Sequence, residues 1–436
     1  MSEQTRREFV RNTAMGAAAG VVMVGTSKTS WAGANDRVRV AQIGINGRGK
    51  DHLKGMLGLD GVEVVTLCDV DENLFAPRID TFFEKKGLKR PSTEVDMRKV
   101  FENKDIDAVM VATPNHWHSL AAIWALQAGK NVYVEKPCSH NVFEGNQLVA
   151  AAKKYGKVVQ HGSQIRSNPS IQKAIRELNE GVIGEVYMAR GLCYRWRGDI
   201  GIKQDCPVPE GVHYDTWLGP APERPFNPNR FHYNWHYVWD YGNGDIGNQG
   251  VHQMDVARWG LGVDLPSKVT SMGRMLIFDD QKEVPNVITT AFDFPKAGKK
   301  GKMLVFDVRP WCTNDEKGAK VGVIFYGSKG YMVIDSYSHY KVYLGEKATD
   351  GPEGDDEGDH YANFVAAIRA NDPGMVNAPI EEGAKSSALC HLGLISAKLD
   401  RSLTFDPAKC DFVGDAEASK LLTPPYRAPF VVPENV

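Results

Sequence analysis

The chain contains no C-x-x-C pair, and its seven cysteines are scattered from Cys68 to Cys410. That excludes a zinc ribbon and a dithiol redox centre, and an odd count cannot close entirely into disulfides. Net charge is also scarce: the formal value is -2, which gives no electrostatic reason to expect nucleic acid or an anionic membrane as partner. No pair of carboxylates stands out for ordinary hydrolysis. The acidic, Gly-rich stretch 350–359 lacks EF-hand spacing and reads as a solvated loop. Internal repeats are missing. What is present is 436 residues with 42% hydrophobic and 24% charged content and nine tryptophans, which suits a two-domain globular protein.

The N-terminus reads as an address. Thr5-Arg6-Arg7-Glu8-Phe9-Val10-Arg11 is a twin-arginine signal, followed by a small, apolar stretch over 14–24 and a small-x-small site at Ser30-Trp31-Ala32. Residues 1–32 are therefore set apart from the fold. The competing reading is an uncleaved anchor, but 14–24 is short for a membrane span and rich in Gly and Ala. The expected partner is the twin-arginine export machinery, and the expected location is periplasmic or extracellular.

The first domain is placed at 36–158. An apolar strand over 38–43 runs into Gly44-Ile45-Asn46-Gly47-Arg48-Gly49, with a helical stretch after it. A strand, a glycine turn and a helix N-terminus bring backbone N–H groups to a pyrophosphate. The turn departs from G-x-G-x-x-G: Asn46 stands where the middle glycine belongs, and asparagine tolerates left-handed backbone. A second strand, 62–68, ends at Asp69, roughly 20 residues on, where an acid accepts from an adenosine ribose. Such an acid repels a 2′-phosphate, so NAD is expected rather than NADP; a helix cap is the alternative role. A third unit, 108–118, ends its strand at Thr113-Pro114, with a helix expected from 119. Asn115 and His118 are thus expected in a loop over the cofactor. His116 and His118 stand two apart with no third ligand near, so no metal site is assigned.

Next comes Val132-Tyr133-Val134-Glu135-Lys136-Pro137. The apolar run reads as a strand buried on both faces. Proline cannot donate to a ladder, so Lys136 falls at a strand's carboxyl end, where open α/β sheets bind ligands. A surface ion pair of Glu135 with Lys136 is the bland reading. Strands alternating with helices predict a doubly wound parallel sheet. The Gly44 turn, Asp69, Thr113-Pro114-Asn115 and Glu135-Lys136-Pro137 together resemble the glucose–fructose oxidoreductase/inositol dehydrogenase (Gfo/Idh/MocA) family. The resemblance implies an N-terminal Rossmann domain and a C-terminal α+β domain with a large open sheet. It also implies cofactor contacts along those motifs, a Lys136 that bridges nicotinamide and substrate, and a homodimer or homotetramer.

The second domain is placed at 159–436. Gln164 and Arg166 follow a strand and turn that begins it. Residues 198–234 are rich in Pro, Gly and Asn; so long an irregular segment is usually functional. This segment and its borders carry Arg195, Trp196, Arg197, Trp217, Arg230, His232, Tyr233, Trp235, His236, Tyr237 and Trp239. Aromatic faces beside Arg, His and Asn suit a sugar, although ordinary packing accounts for any one of them. If 244–259 is helical, Asn248, His252 and Asp255 share one face. A polar stripe with an imidazole can move a proton between a hydroxyl and solvent, or be merely solvated. The resemblance implies an acid/base role for His252; related inositol dehydrogenases carry aspartate four residues earlier, where this chain has Asn248. Downstream, about six strands are expected in a mainly antiparallel sheet, with helices over 360–370 and 381–399.

The expected activity is NAD-dependent oxidation or reduction of a carbohydrate or polyol hydroxyl, with Lys136 and His252 assisting proton transfer and NAD tightly held. Two alternatives stand beside it: glycoside cleavage through a transient 3-keto sugar, and a non-catalytic sugar- or NAD-binding protein. The expected substrate contacts are Gln164, Arg166, Arg230, Trp239 and Asp255. Replacing Arg6 and Arg7 together by lysine should leave the folded protein in the cytoplasm. Cell fractionation checks this, and unchanged export would show the arginine pair to be incidental.

Overall fold

The computed structural model describes residues 37–311 and 314–436; the twin-arginine segment lies outside the described residues. Six short strands form the first sheet, the central ones largely apolar: β1 (Val38–Ile43), β2 (Val62–Cys68), β3 (Ser92–Glu94), β4 (Ala108–Val111), β5 (Asn131–Val134) and β6 (Val159–His161). Every pairing is parallel, in the order β3-β2-β1-β4-β5-β6. The order reverses between β1 and β4, which opens a crevice beyond their carboxyl ends. Val132, Tyr133 and Val134 of β5 are fully buried, as a strand covered by helices on both faces requires. β6 completes this sheet, so a domain boundary at 158 cuts one strand short.

The second sheet has ten strands rather than six: β7 (Val186–Cys193), β8 (Lys268–Arg274), β9 (Val287–Phe294), β10 (Lys302–Val308), β11 (Val321–Gly327), β12 (Gly330–Ile334), β13 (His339–Leu344), β14 (Thr349–Asp355), β15 (Leu403–Asp406) and β16 (Asp411–Phe412). All neighbours are antiparallel except β7 and β10. β14 lies in the acidic stretch expected to be a loop. As an edge strand it needs only backbone pairing with β13, and Pro352 is tolerated there.

The helix Gly250–Leu261 lies on the inner face of this sheet. Its approach is close: a Cβ on Gly250 would stand 2.3 Å from the Phe306 ring. The expected continuous helix is instead broken at Gln249, between Gly244–Asn248 and Gly250–Leu261. Asn248 thus sits in a different helix from His252 and Asp255. Asp255 turns inward, where Arg166 donates Nε and Nη2 to its two oxygens at 2.7 and 2.9 Å and Ser386 Oγ donates at 2.6 Å. Ser386 belongs to the long helix Ile380–Leu399, which also packs on the helix Val142–Tyr155 of the first domain. Among the described residues, no helix is long and apolar enough to cross a membrane.

Burial alone would raise the Asp255 carboxyl; Arg166 outweighs it and, with Arg258 and Ser386, holds the group at about 2. A carboxylate depressed in the fold contributes stability above its unfolded pKa of roughly 3.9 and loses it as pH falls through the folded value. Asp255→Asn should cost about 3 kcal/mol near neutral pH, since Arg166 is left buried without its bidentate partner. Denaturant titrations should show the cost shrinking near pH 3; an equal loss at both pH values would place its origin elsewhere.

Candidate active site

A cavity of about 460 Å³ runs from the Gly44 turn past the end of β5 to the start of the helix Gly250–Leu261. Its nucleotide half is built on close glycine packing. A Cβ on Gly44 would lie 2.5 Å from the Ala112 carbonyl oxygen, and one on Gly49 2.0 Å from that of Gly44. Gly49 thus acts as a spacer behind the turn. The left-handed residues are Gly44 (φ 78°) and Gly47 (φ 46°). Asn46 is not among them, so the glycine displaced by one position supplies the turn. Asn46 instead accepts from Arg78 Nη2 at 3.0 Å and meets His232 Nδ1 at 3.3 Å.

Asp69 lies at the tip of β2 and accepts the N–H groups of Ile45 (2.9 Å) and Asp71 (3.1 Å). Burial raises its carboxyl to about 6 against the pull of these two donors. Asn115 and His118 are in the first turn of the helix Asn115–Gln127, which starts four residues earlier than expected because Pro114 fits its N-cap. His118 does not face the cofactor side freely: its Nδ1 and Nε2 lie 2.6 and 2.8 Å from the carbonyls of Pro137 and Thr113. It braces one cleft loop against the other. His116 likewise meets the Trp217 carbonyl at 3.0 Å. By contrast, Thr113 Oγ1 and Asn115 Oδ1 are buried without a partner.

Glu135 joins the two halves. Its Oε1 accepts from Arg48 Nε (3.2 Å), His52 Nε2 (3.0 Å) and Gln164 Nε2 (3.1 Å), and its Oε2 from the Lys136 N–H (3.2 Å). Although burial opposes ionisation, Arg48 and His52 hold the carboxyl well below its usual range. Beyond it, Lys136 Nζ donates to the Asn248 carbonyl at 2.6 Å and to its Oδ1 at 3.3 Å. Burial lowers the ammonium below the ordinary lysine value; Glu135 opposes this, and Arg48, Arg195 and Arg197 add to it. His252 faces the same space, its ring 5.1 Å from Tyr337 and its Nδ1 buried without a partner. Burial and then the Lys136 charge push it well below the ordinary imidazole value.

Four residues expected at the substrate lie outside this cavity. Arg166 and Asp255 are spent on each other. Arg230 pairs with Asp205 at 2.6 Å within the irregular segment, and Trp239 packs against the second core under Lys398. Sequence reasoning missed His52, Gln249 and Tyr337. An Arg48/His52 pair four apart on the nucleotide helix was the available signal for the first; the other two had none.

The irregular segment crosses to the nucleotide side. Gly211 accepts from the Glu72 N–H (2.8 Å), the His213 N–H donates to Val70 (2.8 Å), and His213 Nε2 meets Glu72 at 2.7 Å. His232 Nε2 lies 3.1 Å from Asp71. This strap fastens behind Asp69 and alongside the glycine turn.

Residues 38–163 match the family model described as oxidoreductase family, NAD-binding Rossmann fold, and residues 186–432 match that of the C-terminal alpha/beta domain of the same family. The chain belongs to the Gfo/Idh/MocA oxidoreductase family. A glycosyl hydrolase family 109 protein of Shewanella pealeana is 31% identical over 155 residues, 35% of this chain and 34% of that protein. The chain thus spans about a third of the length of the curated relatives it matches. The WlbA dehydrogenase from Bordetella pertussis, solved with NADH and UDP-GlcNAcA, shares the fold at TM-score 0.64 and 19% identity, over 85% of this chain and 99% of that one. An aldose-aldose oxidoreductase from Caulobacter crescentus, complexed with glycerol, does so at TM-score 0.63 and 19% identity, over 85% and 100%.

The residues present fit a dinucleotide: a tight glycine turn, an acid at the tip of β2 and two unpartnered polar atoms on the cleft wall. Replacing Asp69 by serine should weaken NAD about 10- to 100-fold, the loss of hydrogen bonds to a charged group, and NADP by less. Fluorescence titration of both nucleotides checks this; equal losses would mean that Asp69 serves only the turn.

Proposed function

We propose that the protein is an NAD-dependent oxidoreductase acting on a hydroxyl of a carbohydrate or polyol, with Lys136 and His252 moving the proton. The observation that carries this reading is their convergence: a lysine from the tip of β5 and a buried, unpartnered imidazole from the second domain share one end of the dinucleotide cleft. A bound nicotinamide supplies the hydride acceptor or donor. Lys136 offers positive charge to the substrate oxygen, which favours its ionisation. His252, held unprotonated by burial and by Lys136, accepts the hydroxyl proton in oxidation and returns it in reduction. Asn248 orients Lys136 through two contacts and takes no proton itself.

NAD is expected to stay bound between turnovers. The strap supports this, because its pairings to Val70, Asp71 and Glu72 tie the irregular segment to the loop that follows Asp69. The twin-arginine sequence supports export of the loaded protein to the periplasm or beyond, where free NAD has no obvious source. The outer face of the second sheet supports a homodimer or homotetramer, since β8 and β10 expose Met272 and Met303 there.

A second reading is glycoside cleavage through a transient 3-keto sugar, with the cofactor regenerated in each cycle. The named relatives favour it, and so does the cleft. Beyond Asp69, each carboxylate lining it already has a basic partner: Glu135 and Asp51 both have Arg48.

Lys136→Ala and His252→Ala should each lower turnover by about 10²–10⁴-fold, the usual worth of a positioned acid or base, with NAD content retained. In wild type the acid limb of kcat should fall below the ordinary imidazole pKa of about 6.5, because His252 is depressed, and the variant should lose that limb. Steady-state kinetics across pH decides it, and wild-type turnover in His252→Ala would refute the proton path.

A further inference from the structure

Charge is balanced unevenly along the cleft. Arg48 is met by Glu135 and Asp51, and Arg197 by the buried Asp245 at 2.9 Å. Lys136 and Arg195 are met only by amides. Lys136 Nζ rests on Asn248, and Arg195 Nη1 donates to Gln249 Oε1 at 2.8 Å. Among the described residues, no carboxylate lies within ion-pair distance of either. Two cations therefore stand over two successive neutral residues at the substrate end. Oxidised nicotinamide is itself cationic and adds to this excess.

The arrangement is built. Gln249 Nε2 donates to the Tyr337 hydroxyl at 3.1 Å and faces Gln253 Oε1 at 3.4 Å. That fixes the amide with its oxygen toward Arg195. A guanidinium has five N–H donors in a planar fork that matches a carboxylate, and one contact to Gln249 leaves a bidentate edge available. A neutral sugar would meet these cations with hydroxyls alone. An anionic one gains hydrogen bonds roughly twice as strong.

We propose that the substrate is a sugar bearing a carboxylate, a uronic acid or its glycoside, and that Arg195 binds that carboxylate. The inference rests on the oxidoreductase reading only for which hydroxyl faces Lys136 and His252. The test uses the NAD-loaded protein and a panel of methyl glucuronides and galacturonides beside the matching neutral methyl glycosides and sugar 6-phosphates. Binding is read by calorimetry and redox change by nicotinamide absorbance. Uronides should bind about 10- to 100-fold tighter than their neutral partners. Arg195→Gln should bring that ratio close to one, and Arg195→Lys should restore part of it, with retained NAD content reporting an intact fold. Preference for neutral sugars, no binding by any member, or a uronide preference untouched in Arg195→Gln overturns the proposal. Tighter binding of the phosphates overturns the carboxylate assignment. Uronide binding that responds to Arg195→Gln without any absorbance change upholds it and refutes the redox reading instead.

Discussion

Burying a carboxylate costs several kcal/mol unless donors surround it, and Glu135 is met by four. Each donor comes from a piece that must be placed for the cleft to exist. Arg48 and His52 bring the helix of the glycine turn, Gln164 brings the start of the second domain, and the Lys136 N–H belongs to the loop that carries the cleft-facing ammonium. His52 Nε2 must carry its proton to serve here. Removing Glu135 would thus take a shared partner from three pieces of the chain and leave the buried His52 Nε2 unanswered, beyond the loss of one side chain. The Glu-Lys-Pro tripeptide is better understood as two functions in sequence: the acid assembles the cleft and the base faces into it.

The glycine turn, the tips of β2, β4 and β5, and the placement of Lys136 were all legible in sequence. They are local: an apolar run, a breaker and a polar residue suffice to place each one. The second sheet was legible only where strands are apolar. β14 escaped because its pairing is carried by backbone and it reads Thr-Asp-Gly-Pro-Glu-Gly-Asp. The substrate end was half legible. His252 and Asn248 were picked out through helical spacing, but the same spacing also recruited Asp255, whose carboxylate is taken up by Arg166 and Ser386. Which arginine pairs with which acid depends on contacts 50 to 130 residues apart, as for Arg166, Asp255 and Ser386, and no local pattern encodes that.

The segment 198–234, with its borders, shows a similar split. Its irregularity marked it as functional, yet its aromatics serve mostly one another: Trp217 packs against Tyr214, Phe231 and Tyr241. They make a small core of their own. That core gives the strap enough internal order to hold His213 and His232 against Glu72 and Asp71. An unstructured loop would lose those pairs to side-chain and backbone entropy, since each hydrogen bond is worth only about 0.5–1.5 kcal/mol net. Aromatic packing is what keeps the strap ordered where it meets Val70, Asp71 and Glu72.

The two groups assigned to proton transfer also explain each other's state. Lys136 depresses His252, and burial depresses both. A lone buried lysine would relieve the strain by losing its proton. Here Glu135 opposes that loss, while Asn248 accepts from the ammonium at two atoms without adding charge. An aspartate at 248 would neutralise Lys136 and lift His252 toward its ordinary range, erasing the difference between a charged partner and an unprotonated base. Asparagine at this position preserves that difference. It also leaves the charges of Lys136 and Arg195 uncancelled at this end of the cavity, so one amide sets both the state of His252 and the local positive field.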